Sequence, residues 1–339
     1  MNIQKIDQIL AKYDFPKYRR KQIFDGIFKQ FAGSWKELSN LPKELIEILE
    51  AEVPVSSLEI LKENESKEGN SVKVVFRTND NKFVETVLMK HKNGWRTVCL
   101  SCAVGCAMNC AFCATGQNGF FRNLTSEEII DQVLHFCRYL NARSEKAGNI
   151  VFMGMGEPFN NYDNIIEAVR IFNRVEYLNI GMRHISVSTC GVVPGIIRFA
   201  REHIQANLAI SLHAPNDAIR SRLMPINKTF PIKELLEAVD FYIAETNRKV
   251  MFEYLLIDGI NDSDECAKNL ASLMNKKLYH INLIKYHSTS ASLRPSPQIQ
   301  QTKFFDILKK AEVSVTFRRS FGEDIQAACG QLAGISKIA

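Results

Sequence analysis

The sequence predicts an α/β protein, a partial (βα) barrel preceded by an N-terminal helical and β-hairpin accessory region. Two observations carry that expectation. From about residue 96, short apolar, β-branched runs alternate with helical patterns, and six or seven such units imply a parallel sheet buried on both faces. Upstream, residues 1 to about 50 show helical periodicity alone, while residues 57–95 switch to β-branched runs around "NDN". The expected division is residues 1–56, 57–95 and 96–339.

In the first region "RRKQIFDGIFKQF" sets Ile23, Ile27 and Phe31 four residues apart, with Phe24 and Phe28 beside them, as one helical stripe. Lys17, Arg19, Arg20, Lys21 and Lys29 make the same stretch basic around Tyr18. A solvated charged face and a nucleic-acid contact surface both fit that pattern. "SVKVVFRT" and "KFVETVLMK" form the hairpin. The strands that follow are "RTVCLS", "NIVFMG", "HISVST", "NLAISL", "VMFEYLLI", "YHINLIKY" and "VSVTFRRS". Between them lie helical patterns such as "SEEIIDQVLHFCRYL", opened by a capping box from Thr125 and Glu128, then "NIIEAVRIFNRV" and "IKELLEAVDFYIAE". Only "HSTSASLRPSPQ", 287–298, reads as an irregular loop.

Composition narrows the class. A hydrophobic content of 46% and a charged content of 24% are ordinary for a water-soluble globular chain. Lys5, Asp7 and Lys12 interrupt the apolar residues at the start, unlike a signal peptide, and no run approaches a membrane span. A cytoplasmic protein without a membrane partner is expected. Thiols stay reduced there, so clustered cysteines suggest metal or catalysis before disulfides. The net charge of +6 permits a nucleic-acid partner without requiring one.

Five of the nine cysteines fall within residues 99–113. Cys99-x2-Cys102 and Cys110-x2-Cys113 could pair as zinc knuckles, although seven residues between the pairs is shorter than zinc ribbons use. Cys106, Cys110 and Cys113 could instead hold an iron–sulfur cluster, and three thiolates on four irons leave one iron open for a ligand. The run follows the first strand of the βα series, at the carboxyl end where α/β active sites form.

The Cys-x3-Cys-x2-Cys spacing, with Phe112 before the last cysteine, resembles the signature of radical S-adenosylmethionine (SAM) enzymes. Downstream, "FMGMGEPFNNYDN", "SVSTCGVVPGI", "AISLHAPND", "RLMPIN" and "GEDIQAACGQLAG" follow in one order. Together they resemble the radical SAM adenine methyltransferases of ribosomal and transfer RNA, the RlmN/Cfr group, over nearly the whole chain.

That resemblance implies one [4Fe–4S] cluster on Cys106, Cys110 and Cys113, with SAM as the second cofactor. It implies that Cys329 is methylated by one SAM, that a second SAM generates a radical on the methyl group, and that this carbon adds to the base. Cys99 would then attack the Cys329 sulfur and release the product as a disulfide forms. Glu85 of "FVETV" would accept the proton. Gly156 and Glu157 would meet the methionine part of SAM, and Ser188, Ser211, Leu212 and His213 would line its pocket. His287 stands where the family commonly has Asn as a further SAM contact. Cys102 replaces a small polar residue and is no ligand, while Cys137, Cys190 and Cys266 read as packing or surface thiols.

The implied reaction is methylation of C2 of adenosine, at position 2503 of 23S rRNA and at adenosine 37 of tRNAs. Residues 1–56 would contact that RNA. The Pro after Gly156-Glu157 sides with C2 over C8 methylation, the antibiotic-resistance branch. The contrasting alternative is a zinc-stabilised RNA-binding protein without catalysis. A flavodoxin-type electron donor and a monomeric chain complete the expectation.

Overall fold

Asn2 accepts the Lys5 amide hydrogen at 2.8 Å and so starts the first of three helices: α1 (Ile3–Lys12), α2 (Tyr18–Phe28) and α3 (Lys43–Glu52). The structure is a computed structural model that describes residues 1–289 and 292–333. Ile23, Phe24, Ile27 and Phe28 bury the apolar stripe of α2, with the Phe24 and Phe28 rings 5.5 and 4.8 Å from Tyr177. The expected stripe runs one turn too far. The helix stops at Phe28, and Phe31 lies beyond it with φ +59°.

Residues 57–95 form more than a hairpin. Three antiparallel strands, β1 (Leu58–Glu65), β2 (Ser71–Thr78) and β3 (Phe83–Lys90), make a meander. β1 escapes the sequence reading because "LEILKENE" is mostly exposed, as suits an edge strand. β3 then pairs antiparallel with β4 (Arg96–Cys99), so the meander extends the main sheet across the expected boundary at residue 95.

After β4 come β5 (Ala103–Gly105), α4 (Ala114–Gln117), β6 (Phe120–Asn123) and α5 (Ser126–Asn141). Among the described residues β5 and β6 pair only with each other. The series continues with β7 (Asn149–Phe152), α6 (Tyr162–Asn173), β8 (Ile185–Thr189), α7 (Val193–Arg201) and β9 (Asn207–Ser211). It closes with α8 (Asp217–Leu223), α9 (Ile232–Thr246), β10 (Val250–Leu256), α10 (Asp264–Leu273), β11 (Tyr279–Lys285), α11 (Gln298–Lys310) and β12 (Val315–Arg318). Strands β4 and β7–β12 run parallel in sequence order, and β1 and β12 are the edges, so the barrel is open. The parallel strands are apolar nearly throughout, because helices cover the sheet. Among the described residues no helix is long and apolar enough to cross a membrane.

Both halves of the Thr125–Glu128 capping box are present at the start of α5. One turn further on, the fully buried Gln132 holds the fold's centre. Its Oε1 accepts from the Ser101 amide at 2.9 Å and the Thr86 hydroxyl at 2.6 Å, and its Nε2 donates to the Ser101 carbonyl at 3.0 Å. Ser101 Oγ in turn donates to the Glu85 carbonyl and accepts from the Met155 amide. Gln132→Leu strands three buried polar groups at once. It should lower the unfolding free energy by about 2–4 kcal/mol, read from urea denaturation, with Thr125→Ala costing about 1 kcal/mol for comparison.

Candidate active site

The cysteine loop hangs from strand β4 by backbone hydrogen bonds. Leu100 N–H donates to Val151 O at 2.9 Å, Gly154 N–H to Leu100 O at 2.9 Å and Cys102 N–H to Met155 O at 2.8 Å. The β5–β6 ribbon then brackets residues 106–119. Gly105 sits at its neck with φ +79°, and a Cβ there would lie 2.0 Å from the Gly119 carbonyl oxygen. Only glycine fits that conformation and that contact. Within the bracket Ala111 N–H donates to Leu223 O, Cys113 N–H to Cys110 O, and α4 follows.

Cys106, Cys110 and Cys113 line one cavity of about 180 Å³ at the carboxyl ends of the parallel strands. Cys99 and Cys329 line the same cavity, although 230 residues separate them. Its walls include Gly156, Glu157, Ser188, Ser211, His213 and His287. Two expected residues are not on that wall. Leu212 is fully buried, its amide donating to Glu253 O at 3.1 Å. Glu85 is buried in an ion pair with Lys73, 3.0 Å away, on the face of β3 that it shares with the wall residues Val87 and Met89. Cys190, read as a packing thiol, does line the cavity, whereas Cys137 and Cys266 are buried in the hydrophobic core.

Each wall residue is held by its neighbours. Glu157 Oε1 accepts from the Phe159 amide at 3.0 Å and Oε2 from the Cys190 amide at 2.7 Å. Burial raises its pKa, and those two backbone donors oppose the rise. His213, at φ +54°, accepts from the Leu255 amide through Nδ1 at 3.1 Å and meets the Phe112 ring edge-on at 4.7 Å. Burial, then the nearby Arg220, push its pKa down to about 3, so the ring is a neutral support for Phe112. His287 Nε2 pairs with Ser320 Oγ at 2.8 Å, and its Nδ1 lies 3.2 Å from Glu323 Oε1, off the hydrogen-bond direction. Thr289 reaches back to the Phe112 carbonyl at 2.9 Å, while Ser290 and Ala291 of the 287–298 loop lie outside the described residues.

Three residues that sequence reading missed set the charge here. Arg318, at the end of β12, lies 3.4 Å from Glu253 Oε2, and Asn282 Nδ2 donates to Glu253 Oε1 at 2.9 Å. Burial pushes the Cys99 thiol up to about 12; the neighbouring Cys329 adds to this and Arg318 opposes it. Cys329 is open to the cavity's solvent yet crowded enough that desolvation raises its pKa, again against Arg318. Arg220 is fully buried and ties three loops together, donating to Cys190 O at 2.7 Å, Leu212 O at 3.3 Å and Asn227 Oδ1 at 2.8 Å. A charge within an apolar strand, as in "VMFEYLLI", was the available signal for Glu253.

The basic N-terminal face is partly neutralised. Arg20 pairs with Asp7, and both Lys21 and Lys29 pair with Asp25. Lys17 remains exposed, and Arg19 lies over the Tyr18 ring at 4.7 Å.

Comparison with known proteins identifies this arrangement. The sequence profile of the Radical SAM superfamily matches residues 100–270. A probable dual-specificity RNA methyltransferase RlmN from Carboxydothermus hydrogenoformans is 43% identical over 334 residues, covering 98% of this chain and 96% of the relative. The chain belongs to the RlmN family of the radical SAM superfamily. A relative of the same description from Listeria innocua is 41% identical, covering 97% of this chain and 90% of its own. A radical SAM methyltransferase from Sphaerobacter thermophilus superposes with a TM-score of 0.95 at 43% identity, over 99% of this chain and 98% of that one.

The family's cofactors are a [4Fe–4S] cluster and SAM, and the residues present fit them. Three thiols line one cavity, the soft donor set that iron–sulfur clusters take. Beside them Gly154 and Gly156 pack where a Cβ would lie 2.5 Å from Leu100 O and 2.8 Å from Cys102 Sγ, which keeps the loop close against the cysteine strand. Cys102 is not among the residues that line the cavity, and its thiol donates to Met155 O at 3.4 Å. Gly105→Ala should strain the neck of the cysteine loop by about 1–3 kcal/mol. Its iron content after anaerobic reconstitution should fall below wild type, while far-ultraviolet circular dichroism stays the same.

Proposed function

We propose that this chain methylates C2 of adenosine in RNA, at position 2503 of 23S rRNA and at adenosine 37 of tRNAs, through a methyl group carried on Cys329. One observation carries the reading: the Cys329 and Cys99 thiols share a cavity with Cys106, Cys110 and Cys113. The substrate class follows from relatives named as dual-specificity RNA methyltransferases. The choice of C2 rests on Gly156-Glu157-Pro158, where Pro158 opens the short 3-10 turn Pro158–Asn161.

In this reading Cys106, Cys110 and Cys113 hold the cluster, and Gly156, Glu157, Ser188, Ser211, His213 and His287 form the SAM wall. When bound, these cofactors supply radical chemistry to a carbon that offers no electron pair for ordinary methyl transfer. The chain's own residues do the rest. Cys329 takes a methyl group on its sulfur, and the carbon of that group becomes bonded to the base, linking RNA and protein. Cys99 gives up its thiol proton and attacks the Cys329 sulfur, which forms a disulfide and breaks the sulfur–carbon bond, and the departing carbon takes up a proton to become the methyl group of the product. Glu85 takes up the C2 proton. The protein works in the cytoplasm as a monomer, its residues 1–56 contact the RNA, and a flavodoxin-type reductant supplies electrons.

Two substitutions should fail differently. Cys329→Ala lacks the carbon carrier, so the protein should purify free of RNA. Cys99→Ala can form the link but not break it, and should carry an RNA fragment through denaturing electrophoresis that RNase trims to a nucleotide on Cys329. Phosphate contacts would not survive denaturant. Clean Cys99→Ala protein that still methylates RNA overturns the role of Cys99.

Ligand assignment and product have their own checks. Replacing Cys106, Cys110 or Cys113 with Ala should abolish iron–sulfur absorption, whereas Cys102→Ser should retain it. Nuclease-digested RNA should contain 2-methyladenosine, and a dominant 8-methyladenosine peak would reassign the enzyme to the other branch.

A further inference from the structure

Lys73 was read from sequence only as part of a strand. In the structure it is 7% exposed, which is rare for lysine without a specific partner. Its ammonium lies 3.0 Å from Glu85 Oε1 and donates to the Gln326 carbonyl at 3.2 Å. Glu85 Oε2 accepts from the Ala333 amide at 2.7 Å. Gln326 and Ala333 flank Cys329, three residues before it and four after. The pair from the β2–β3 meander therefore grips both arms of the loop that presents Cys329 to the cavity.

Register fixes where that grip lies. Lys73 stands opposite Val87, and Val87 stands opposite Cys99, so the three side chains form one row on one face of the sheet. Val87 and Cys99 line the cavity. The loop is thus anchored in the row that ends at its reaction partner, two strands away. The opposite side of the loop is fastened to the cysteine loop, by Ala114 N–H to Gly330 O at 2.8 Å and Asn118 Nδ2 to Ala333 O at 2.7 Å.

We propose that Lys73 is a positioning residue which, through Glu85 and the Gln326 carbonyl, holds the Cys329 loop at the working distance from Cys99. The proposal rests on the reading that Cys329 carries the methyl group. Lys73 does not line the cavity; its contacts are with Glu85 and the Gln326 carbonyl, and it acts by fixing the loop. Removing its charge takes the ion pair at 3.0 Å from Glu85 and the donor from Gln326 O, so both arms loosen together.

The test compares full-length wild type with Lys73→Met and Lys73→Arg, all purified anaerobically. Hydrogen exchange followed by mass spectrometry should show residues 326–333 of Lys73→Met exchanging at least about tenfold faster, with α5 and β7–β10 unchanged. In RNA methylation the same variant should lose about tenfold or more in kcat with KM for RNA within about twofold, and iron content should equal wild type. Lys73→Arg keeps a cation and should restore both loop protection and kcat by more than half. Unchanged exchange at 326–333 overturns the proposal. So does unchanged kcat with a loosened loop, or faster exchange throughout the molecule that Lys73→Arg fails to rescue. Wild-type protein that methylates no RNA would overturn the proposed function, and the exchange comparison would still decide the grip on the loop.

Discussion

The loop bearing Cys329 satisfies only part of its own backbone. Between Gly322 and Ala333 it makes one 3-10 turn, Glu323–Ile325, and the amides of Ile325, Gln326, Ala327, Ala328 and Gln331 find partners within the loop, but the carbonyls of Gln326, Gly330, Leu332 and Ala333 and the amide of Ala333 take theirs from elsewhere. Two segments distant in sequence provide them. The Lys73–Glu85 pair serves the Gln326 carbonyl and the Ala333 amide, and from the cysteine loop Ala114 N–H and Thr115 Oγ1 donate to the Gly330 and Leu332 carbonyls, while Lys67 N–H from the β1–β2 turn holds the Asp324 carboxylate at 2.8 Å. Each bond is worth little net, but each orphaned group would cost about 1–3 kcal/mol. The loop's position is therefore an outcome of how the meander and the cysteine loop are placed, and both must be folded before it can settle.

The same accounting explains why the meander and the cysteine loop are themselves in register. Ser101 stands between them. Its amide and carbonyl are taken by Gln132 of α5, and its hydroxyl links the Glu85 carbonyl to the Met155 amide. Glu85 belongs to the strand that grips the Cys329 loop, and Met155 to the loop that packs against Cys102 and Ala103. One buried residue thus couples the backbone on both sides of the cavity, and α5 supplies the amide side chain that makes the coupling possible.

How much of this was legible depended on how local the cause was. The parallel strands announced themselves because burial on both faces demands continuous apolar runs, and the α5 capping box needs only residues 125–128. The cysteines were legible because their spacing is short-range chemistry. β1 was not, since an edge strand is charged on purpose, and Phe31 was misread because periodicity says nothing about where a helix ends. Arg318 and Lys73 were invisible for a different reason. Their burial is set by partners 65 and 253 residues away, and nothing in "FRRS" or "SVKVV" encodes those contacts locally. Leu212 shows the converse, a motif residue whose neighbours Ser211 and His213 reach the cavity while its own side chain packs into the core. The described residues end before Gly334, the last residue of the C-terminal motif.

The meander is then no detachable accessory. Side chains alternate along a strand, so Glu85, Val87 and Met89 share one face of β3, and Val87 and Met89 form part of the cavity wall. The antiparallel join of β3 to β4 sets Val87 against Cys99. A slip of one residue would turn Glu85, Val87 and Met89 to the opposite face together. It would take the carboxylate from Ala333 and the wall from Cys99 in one move. The register is guarded on both sides, by the Thr86–Gln132 bond on the far face and by the Lys73–Glu85 pair on the near one. A parallel barrel alone brings loops to one end of the sheet. Here it is the antiparallel extension, held in that register, that sets how far apart two thiols in those loops must lie.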